Sequence, residues 1–527
     1  MQPVIFADQM REIDRLTTEK FNIPSYTLME SASAACFKAI QARFGVLAGK
    51  KALVLCGKGN NGGDGAGLAR LLIEAGVECT VVLFGKVEET RGDARRNFDA
   101  LVSVSECLDA SAWDAIPKTE YDVVVDALFG TGLTRPLEGL YLTAIEYLRS
   151  LKEPFILSID IPSGLNADLA DPIGAAVEAD LTVTFTAPKR ANVLPPACDL
   201  GGKLIVADIG SPSSLIDAMK PSLFLIEAED ARQWLVSTRY TRGSYKNTHG
   251  NVLICAGSRG YSGAAALCGN SAMRSGAGLV TVATPVSAQP LVASGSIPEV
   301  MTQVLAETDR GAVSDEAVDH FLKLATKKGT VVAVGPGLTS DDERTRRFVL
   351  EIVKRRSTPC VIDADGLNCL APWPKDVRGS SEHPLVLTPH PGEMSRLTGK
   401  SELGDRVEAA REFATTNHVI LVLKGSRSIV AAPDGRVFIN PTGNPGLGRA
   451  GSGDTLTGLI AGFLTQAFAT LKDKADPVAA VIAALYVGGL AGDFAARRIG
   501  MRTMVASDIR EHFSKAIRYL DPQGEQP

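Results

Sequence analysis

A two-domain α/β chain is what the sequence predicts, and three observations carry that prediction. At 527 residues the chain is longer than one hydrophobic core usually serves. Short β-branched runs alternate with helical segments, the pattern of a parallel sheet with crossover helices. Several of these runs end in glycine-rich loops, and open α/β sheets bind ligands at such strand ends.

Met10, Ile13 and Leu16 are spaced for an amphipathic helix over residues 7–20, and a second helix follows over 25–44. Strands are then expected at 52–56, 79–84, 123–126, 155–160, 181–185 and 203–207. Residues 227–245 turn polar and charged, with Arg239, Arg242 and Lys246 close together, so the domains are set at 1–227 and 228–527. A second strand series reads 251–255, 280–283, 331–334, 360–362, 385–387 and 419–423. It closes with an antiparallel pair, 428–430 and 437–439, joined by the hairpin turn Pro433-Asp434-Gly435. The uncharged runs 455–471 and 477–492 carry polar residues or glycines and read as buried helices rather than membrane spans.

Composition excludes more than it assigns. Charged residues at 22% and hydrophobic ones at 45% are ordinary, so neither disorder nor a fibrous repeat is indicated. A net charge of -5 argues against generic nucleic-acid binding, which would need a basic face. The nine cysteines form no CxxC pair and read as reduced core thiols, and residues 1–9 lack a basic, apolar leader. The expectation is a cytoplasmic protein with small-molecule ligands, no nucleic acid and no membrane, and with a homo-oligomer left open.

The most informative loop is Asn444-Pro445-Gly446-Leu447-Gly448-Arg449-Ala450-Gly451-Ser452-Gly453-Asp454, ahead of an apolar helical run. Glycines admit close backbone approach, and the helix start offers free N–H groups and a positive dipole to an anion. A carboxylate beside a phosphate would be repelled unless it served chemistry, so Asp454 reads as a general base for an attacking hydroxyl. The alternative is a plain helix cap. In the first half, Gly57-Lys58-Gly59-Asn60-Asn61-Gly62-Gly63-Asp64-Gly65 joins a strand to a helix, a phosphate-binding context. Loops from Asp126 through Gly130-Thr131-Gly132-Leu133-Thr134-Arg135-Pro136 and from Asp160 to Gly164 would share its rim. Asn61, Asp126 and Ser163 then offer hard oxygens with one negative charge, which suits a monovalent cation better than a transition metal. Asp126 also fits a turn cap.

The helix over 7–20, Met29-Glu30, and residues 59–65, 130–136 and 160–164 resemble the NAD(P)H-hydrate epimerase family. The resemblance implies a Rossmann-like domain that binds hydrated NADH or NADPH through residues 60–64, 130–136 and Asp160. It also implies potassium on Asn61, Asp126 and Ser163, and Asp160 as the acid/base for interconverting epimers at C6. In the second half, His249-Gly250-Asn251, Ala256-Gly257-Ser258, residues 274–280, 298–301 and 335–338, Asp363-Ala364-Asp365-Gly366-Leu367-Asn368, residues 388–394, Lys424-Gly425-Ser426 and the Asp454 loop resemble the ADP-dependent NAD(P)H-hydrate dehydratase family. That family is similar to ribokinase-like kinases. It implies that ADP gives its β-phosphate to the C6 hydroxyl, with magnesium present and Asp454 as base, and that phosphate then leaves. Lys424, Gly425, Ser426, Arg427, Ser428 and Gly453 would hold the nucleotide; Ala277, Gly337, His390 and Asp454 would face the hydrate. Asp365, Asn368 and Glu393 would reach magnesium or its waters. His390, between two prolines, also suits a purely structural turn. The rival reading is a ribokinase-like small-molecule kinase whose first half senses nucleotides without turnover.

Overall fold

The computed structural model describes residues 1–115 and 120–523. Its contacts divide into two compact units, Gln2–Leu223 and Phe224–Pro527, with Met1 grouped with the latter.

In the first unit the helix Ala7–Phe21 buries Ala7, Met10, Ile13, Leu16 and Thr17, the face its spacing predicts. Its strands are β1 (Lys51–Cys56), β2 (Glu78–Leu83), β3 (Cys107–Asp109), β4 (Val123–Ala127), β5 (Phe155–Ile159), β6 (Leu181–Phe185) and β7 (Lys203–Ala207). They pair in the order β3-β2-β1-β4-β5-β6-β7, parallel throughout. Ala52, Val54 and Cys56 of β1 enter one core, and Leu53 and Leu55 enter the core on the other face. That two-sided burial explains why the strand reads as an unbroken apolar run. The chain leaves β1 in one direction and returns to β4 on its other side, so a crevice opens beyond their carboxyl ends.

The second unit contains β8 (Asn251–Cys255), β9 (Leu279–Pro285), β10 (Met301–Leu305), β11 (Thr330–Val334), β12 (Cys360–Ile362), β13 (Leu385–Leu387), β14 (Ile420–Leu423), β15 (Ile429–Ala431) and β16 (Val437–Ile439). These nine run β16-β15-β14-β13-β12-β11-β8-β9-β10 in its sheet, parallel except for the antiparallel β14-β15-β16 end. The reversal lies between β8 and β11. There Gly257 N donates to Pro336 O (2.8 Å) and Ser258 Oγ to Gly337 O (2.8 Å). The helix Ser452–Leu471 packs on Ser262–Arg274 at a distance only glycines permit: a Cβ on Gly458 would sit 2.2 Å from Cys268 O, and one on Gly462 would sit 1.8 Å from Ser275 Oγ.

Two differences from the sequence reading stand out. The strands β3 and β10 were not expected; β3 is only three residues long and half-buried, and Met301 and Val304 of β10 are exposed, so neither shows a clear alternation. The helix Pro477–Ile499 is long and apolar enough to cross a membrane by length and composition, against the expectation that no run would be. Two thirds of its most apolar stretch, 67%, is buried inside the unit, where Val481, Leu485, Val487 and Ala491 join the core.

Candidate active sites

In the first unit the loop after β1 and the loop after β4 meet at the crevice. Gly57 N donates to Ala127 O (2.9 Å), and a Cβ on Gly57 would lie 2.0 Å from Leu128 O. Gly62 is equally constrained, since a Cβ there would fall 1.7 Å from Gly57 O. These glycines let the helix Asn60–Glu74 start hard against the strand end, with Asn60 exposed and Asn61 half-buried at its tip.

Asp160 ends β5 in the left-handed region at φ 67°, an uncommon state for a non-glycine residue that recurs at functional sites. Its N–H donates to Val183 O (2.7 Å), and Asn192 Nδ2 donates to its carbonyl (3.2 Å). On the side chain, Oδ1 accepts from Thr184 Oγ1 (2.9 Å) and from Lys189 Nζ (2.8 Å). The other oxygen, Oδ2, is turned toward the opening: a Cβ on Gly130 would lie 2.9 Å from it and 3.1 Å from Asn61 Oδ1. Asn61, Gly130 and Asp160 therefore converge as expected. Lys189 was missed. It is 1% exposed and also donates to Phe185 O (3.2 Å). A lysine just past a buried strand, in Phe185-Thr186-Ala187-Pro188-Lys189, was the available signal.

Asp126 is fully buried. Its Oδ2 accepts from Ser158 Oγ (2.8 Å) and Ser163 N (2.8 Å), and its Oδ1 from Ser163 Oγ (2.5 Å). Burial raises its pKa, and the bonds from Ser163 and Ser158 partly oppose that rise. Phe129 N donates to Ser163 Oγ (2.9 Å), which ties this carboxylate to the Gly130 loop. Asn61 Nδ2 is buried with no hydrogen-bond partner among the described residues. Along the 130–136 segment, Gly132, Thr134, Arg135 and Pro136 are exposed, whereas the Leu133 side chain belongs to the core. Asp64 points inward rather than to the rim. Burial, followed by the charge of Asp160, pushes its carboxyl well above the usual range.

In the second unit Gly451 adopts φ 87° and opens the helix Ser452–Leu471, placing Asp454 in its first turn. Burial, then Asp363, raises the Asp454 carboxyl to about 6, with Lys424 opposing. Lys424 Nζ donates to Asp363 Oδ1 (2.7 Å) and lies 3.8 Å from Glu393 Oε2. Thr457 Oγ1 donates to Asp363 Oδ2 (2.7 Å). A Cβ on Gly453 would stand 3.4 Å from Lys424 Nζ and 3.5 Å from Asp363 Oδ2, so the ammonium faces the helix start. Ser452 Oγ and Thr455 Oγ1 are buried without partners among the described residues, and the free N–H groups of the helix start are what an anion would meet. Asp363 and Thr457 were not singled out from sequence; only the lysine contact reveals them. Beyond Lys424, Gly425 (φ 151°) and Arg427 (φ 52°) shape the turn, and Ser428 Oγ closes it on Gly425 O (3.2 Å).

His390 caps the helix Pro391–Thr398: its Nδ1 accepts from Gly392 N (3.0 Å), and Glu393 Oε2 accepts from His390 N (2.8 Å). The ring thus has the structural role considered above, with Nε2 on its other edge. Gly337 sits at the carboxyl end of β11 against Tyr261 and Ala264. Ala277 lies elsewhere. It is 2% exposed and precedes β9, where Gly278 N donates to His249 O, so it stands at the amino ends of the strands, opposite Asp454. The structure does not bring it to the site, where Tyr261 and Ala264 are the residues that lie against Gly337. Of the residues expected to reach magnesium or its waters, Asp365 accepts from Thr339 N and from Asn368 Nδ2 (3.4 Å), Asn368 Oδ1 accepts from Arg396 Nε (2.9 Å), and Glu393 caps its helix. Among the described residues no group of three His, Cys, Asp or Glu side chains could hold a metal.

Residues 252–515 match the family described as NAD(P)H-hydrate dehydratase, and residues 25–191 match the family described as YjeF-related protein N-terminus. The bifunctional NAD(P)H-hydrate repair enzyme Nnr of Moorella thermoacetica is 39% identical, over 99% of this chain and 98% of that protein. The enzyme of the same name from Escherichia coli is 33% identical, over 99% and 94%. Among solved structures, the ADP/ATP-dependent NAD(P)H-hydrate dehydratase from Bacillus subtilis, co-crystallized with ATP/Mg2+, is 31% identical with a TM-score of 0.47, over 56% of this chain and 99% of that one.

Proposed function

The chain belongs to the family of bifunctional NAD(P)H-hydrate repair enzymes, and we propose that its two units divide that work between the Asp160 site and the Asp454 site. It is an isomerase and a lyase: it interconverts the R and S hydrates of NADH and NADPH, and dehydrates the S form with ADP, releasing AMP and phosphate. In our reading residues 1–227 epimerise and 228–527 dehydrate.

Epimerisation breaks the C6–O bond and re-forms it on the other face. Once it has taken up a proton on Oδ2, turned to the crevice beside Asn61 and Gly130, Asp160 gives that proton to the departing hydroxyl and recovers one from the returning water. Lys189 and Thr184 fix the opposite oxygen, so the carboxyl presents one edge. Residues 60–63 and 130–136 line the dinucleotide, several of them through backbone. Asn61, Asp126 and Ser163 fit potassium: all their donors are oxygens, and a cation would offset the desolvation of buried Asp126. Bound there, it would supply fixed positive charge beneath the ligand.

Dehydration needs the C6 hydroxide turned into a better leaving group. Asp454 takes the hydroxyl proton as the oxygen attacks the β-phosphorus of ADP, and AMP departs. The ring nitrogen lone pair then expels phosphate from C6, and loss of a C5 proton restores the double bond. The backbone N–H groups of residues 451–453 and the ammonium of Lys424 stabilise the transferring phosphoryl group. Lys424–Ser428 and Gly453 hold the nucleotide, and Gly337, with the exposed edge of His390, faces the hydrate. Magnesium would neutralise phosphate charge there, and Asp365, Asn368 and Glu393 are the residues that would reach it or its waters. We place the enzyme in the cytoplasm.

The observation that carries the dehydratase assignment is an Asp carboxyl raised to about 6 in the first turn of a helix whose glycine start faces a lysine. The rival small-molecule kinase would release a stable phosphorylated product. Incubation with ADP and the S hydrate should instead yield AMP, inorganic phosphate and NAD(P)H in equal amounts; an accumulating phosphorylated compound would favour the kinase.

A further inference from the structure

Arg406 opens the helix Arg406–Asn417 and lies beside the loop Lys424–Ser428, yet nothing above gives it a role. Its Nη1 donates to Ser426 O (3.2 Å). Its Nε and Nη2 are both buried and have no hydrogen-bond partner among the described residues. These two nitrogens share one edge of the guanidinium, the parallel pair of donors that matches two oxygens of a phosphate or carboxylate. No described carboxylate pairs with it. The guanidinium rests against Gly425, where a Cβ would come 2.8 Å from Nη2, so glycine leaves the loop open to it.

A cation desolvated without a counter-charge is costly, and burial pulls this guanidinium below its usual pKa. Nearby Lys424 is already committed to Asp363 and faces Gly453. The phosphoryl end of the nucleotide site thus has its cation, whereas the Gly425–Ser426 side has a donor pair with nothing to bind. We propose that Arg406 is a phosphate anchor of the nucleotide site, its Nε–Nη2 edge gripping two oxygens of a nucleoside phosphate as the Gly425–Ser426 turn shifts to admit it. This rests on the reading of Lys424–Ser428 as the nucleotide loop.

The test is calorimetric titration of the full-length protein and its Arg406→Gln and Arg406→Lys variants with ADP, AMP and adenosine. Removing a charge-assisted bidentate contact should weaken ADP binding roughly ten- to a hundredfold in Arg406→Gln while adenosine binding stays unchanged. Arg406→Lys keeps the charge without the fork and should fall between, and it serves alone if Arg406→Gln does not fold. A matching loss with AMP places the anchor on the α-phosphate; a loss with ADP only places it on the β-phosphate. Unchanged ADP affinity, or equal weakening for ADP and adenosine, overturns the anchor. If the unsubstituted protein binds no ADP, the nucleotide-site reading itself fails.

Discussion

Lys189 is the residue on which the Asp160 site turns. It is sealed in the core with three acceptors, and only one of them, Asp160 Oδ1, carries charge. Lys189→Met would leave that carboxylate buried without its cation, a change that typically costs 3–5 kcal/mol where a buried pair is broken. The expected result is a first unit of lower melting temperature with epimer exchange reduced at least about a hundredfold and ADP-dependent dehydration of the S hydrate unchanged. At the other site, Asp454 must be ionised to act as base. With its carboxyl at about 6, kcat for dehydration should fall about tenfold per pH unit below that value. The same shift governs stability. Asp454 titrates near 3.8 when unfolded and near 6 when folded, so the folded state binds more protons between those values, and stability declines as pH rises through them. Asp454→Asn should therefore raise stability at pH 7 by about 1–2 kcal/mol, discounted for partial exposure, and the gain should vanish below pH ~4. Melting curves of both proteins across pH check this.

The elements that present these residues differ in what their glycines do. Gly62→Ala would drive a methyl into the Gly57 carbonyl at 1.7 Å, and overpacking of that severity costs upward of about 1–3 kcal/mol, so the first unit should melt markedly earlier. Gly453→Ala meets only Lys424 Nζ and Asp363 Oδ2 at 3.4 and 3.5 Å. It should leave the melting temperature nearly unchanged and lower dehydration by crowding the transferring phosphoryl group. Stability and activity measured on both variants separate a packing glycine from a phosphate-facing one. These loops were legible from sequence because strand, glycine run and helix stand in order. Ala277 rested on the resemblance alone, and nothing in its motif, Arg274-Ser275-Gly276-Ala277-Gly278, says which end of a parallel strand the turn occupies; Gly278 N on His249 O puts it at the amino end. Lys189, Asp363 and Thr457 stayed hidden for a related reason: each acts through a contact distant in sequence, at separations of 29, 61 and 94 residues.

At the scale of the whole molecule, two sheets, each with a reversal of strand order, account for two sites on one chain. The interior strands were legible as short, β-branched apolar runs bounded by turns, since both their faces are buried. The short edge strands β3 and β10 carry no such signature, and the helix Pro477–Ile499 resembles a membrane span in composition because its unit wraps it. The division of labour is the central claim, and one measurement addresses it: recovery of nicotinamide absorbance from a mixture of both hydrate epimers with ADP and magnesium, for the full chain and for Asp160→Asn and Asp454→Asn. The account predicts complete recovery by the unsubstituted enzyme, recovery of the S fraction alone by Asp160→Asn on a timescale short against spontaneous epimerisation, and none by Asp454→Asn. Rapid full recovery by Asp160→Asn, or undiminished dehydration by Asp454→Asn, would contradict it.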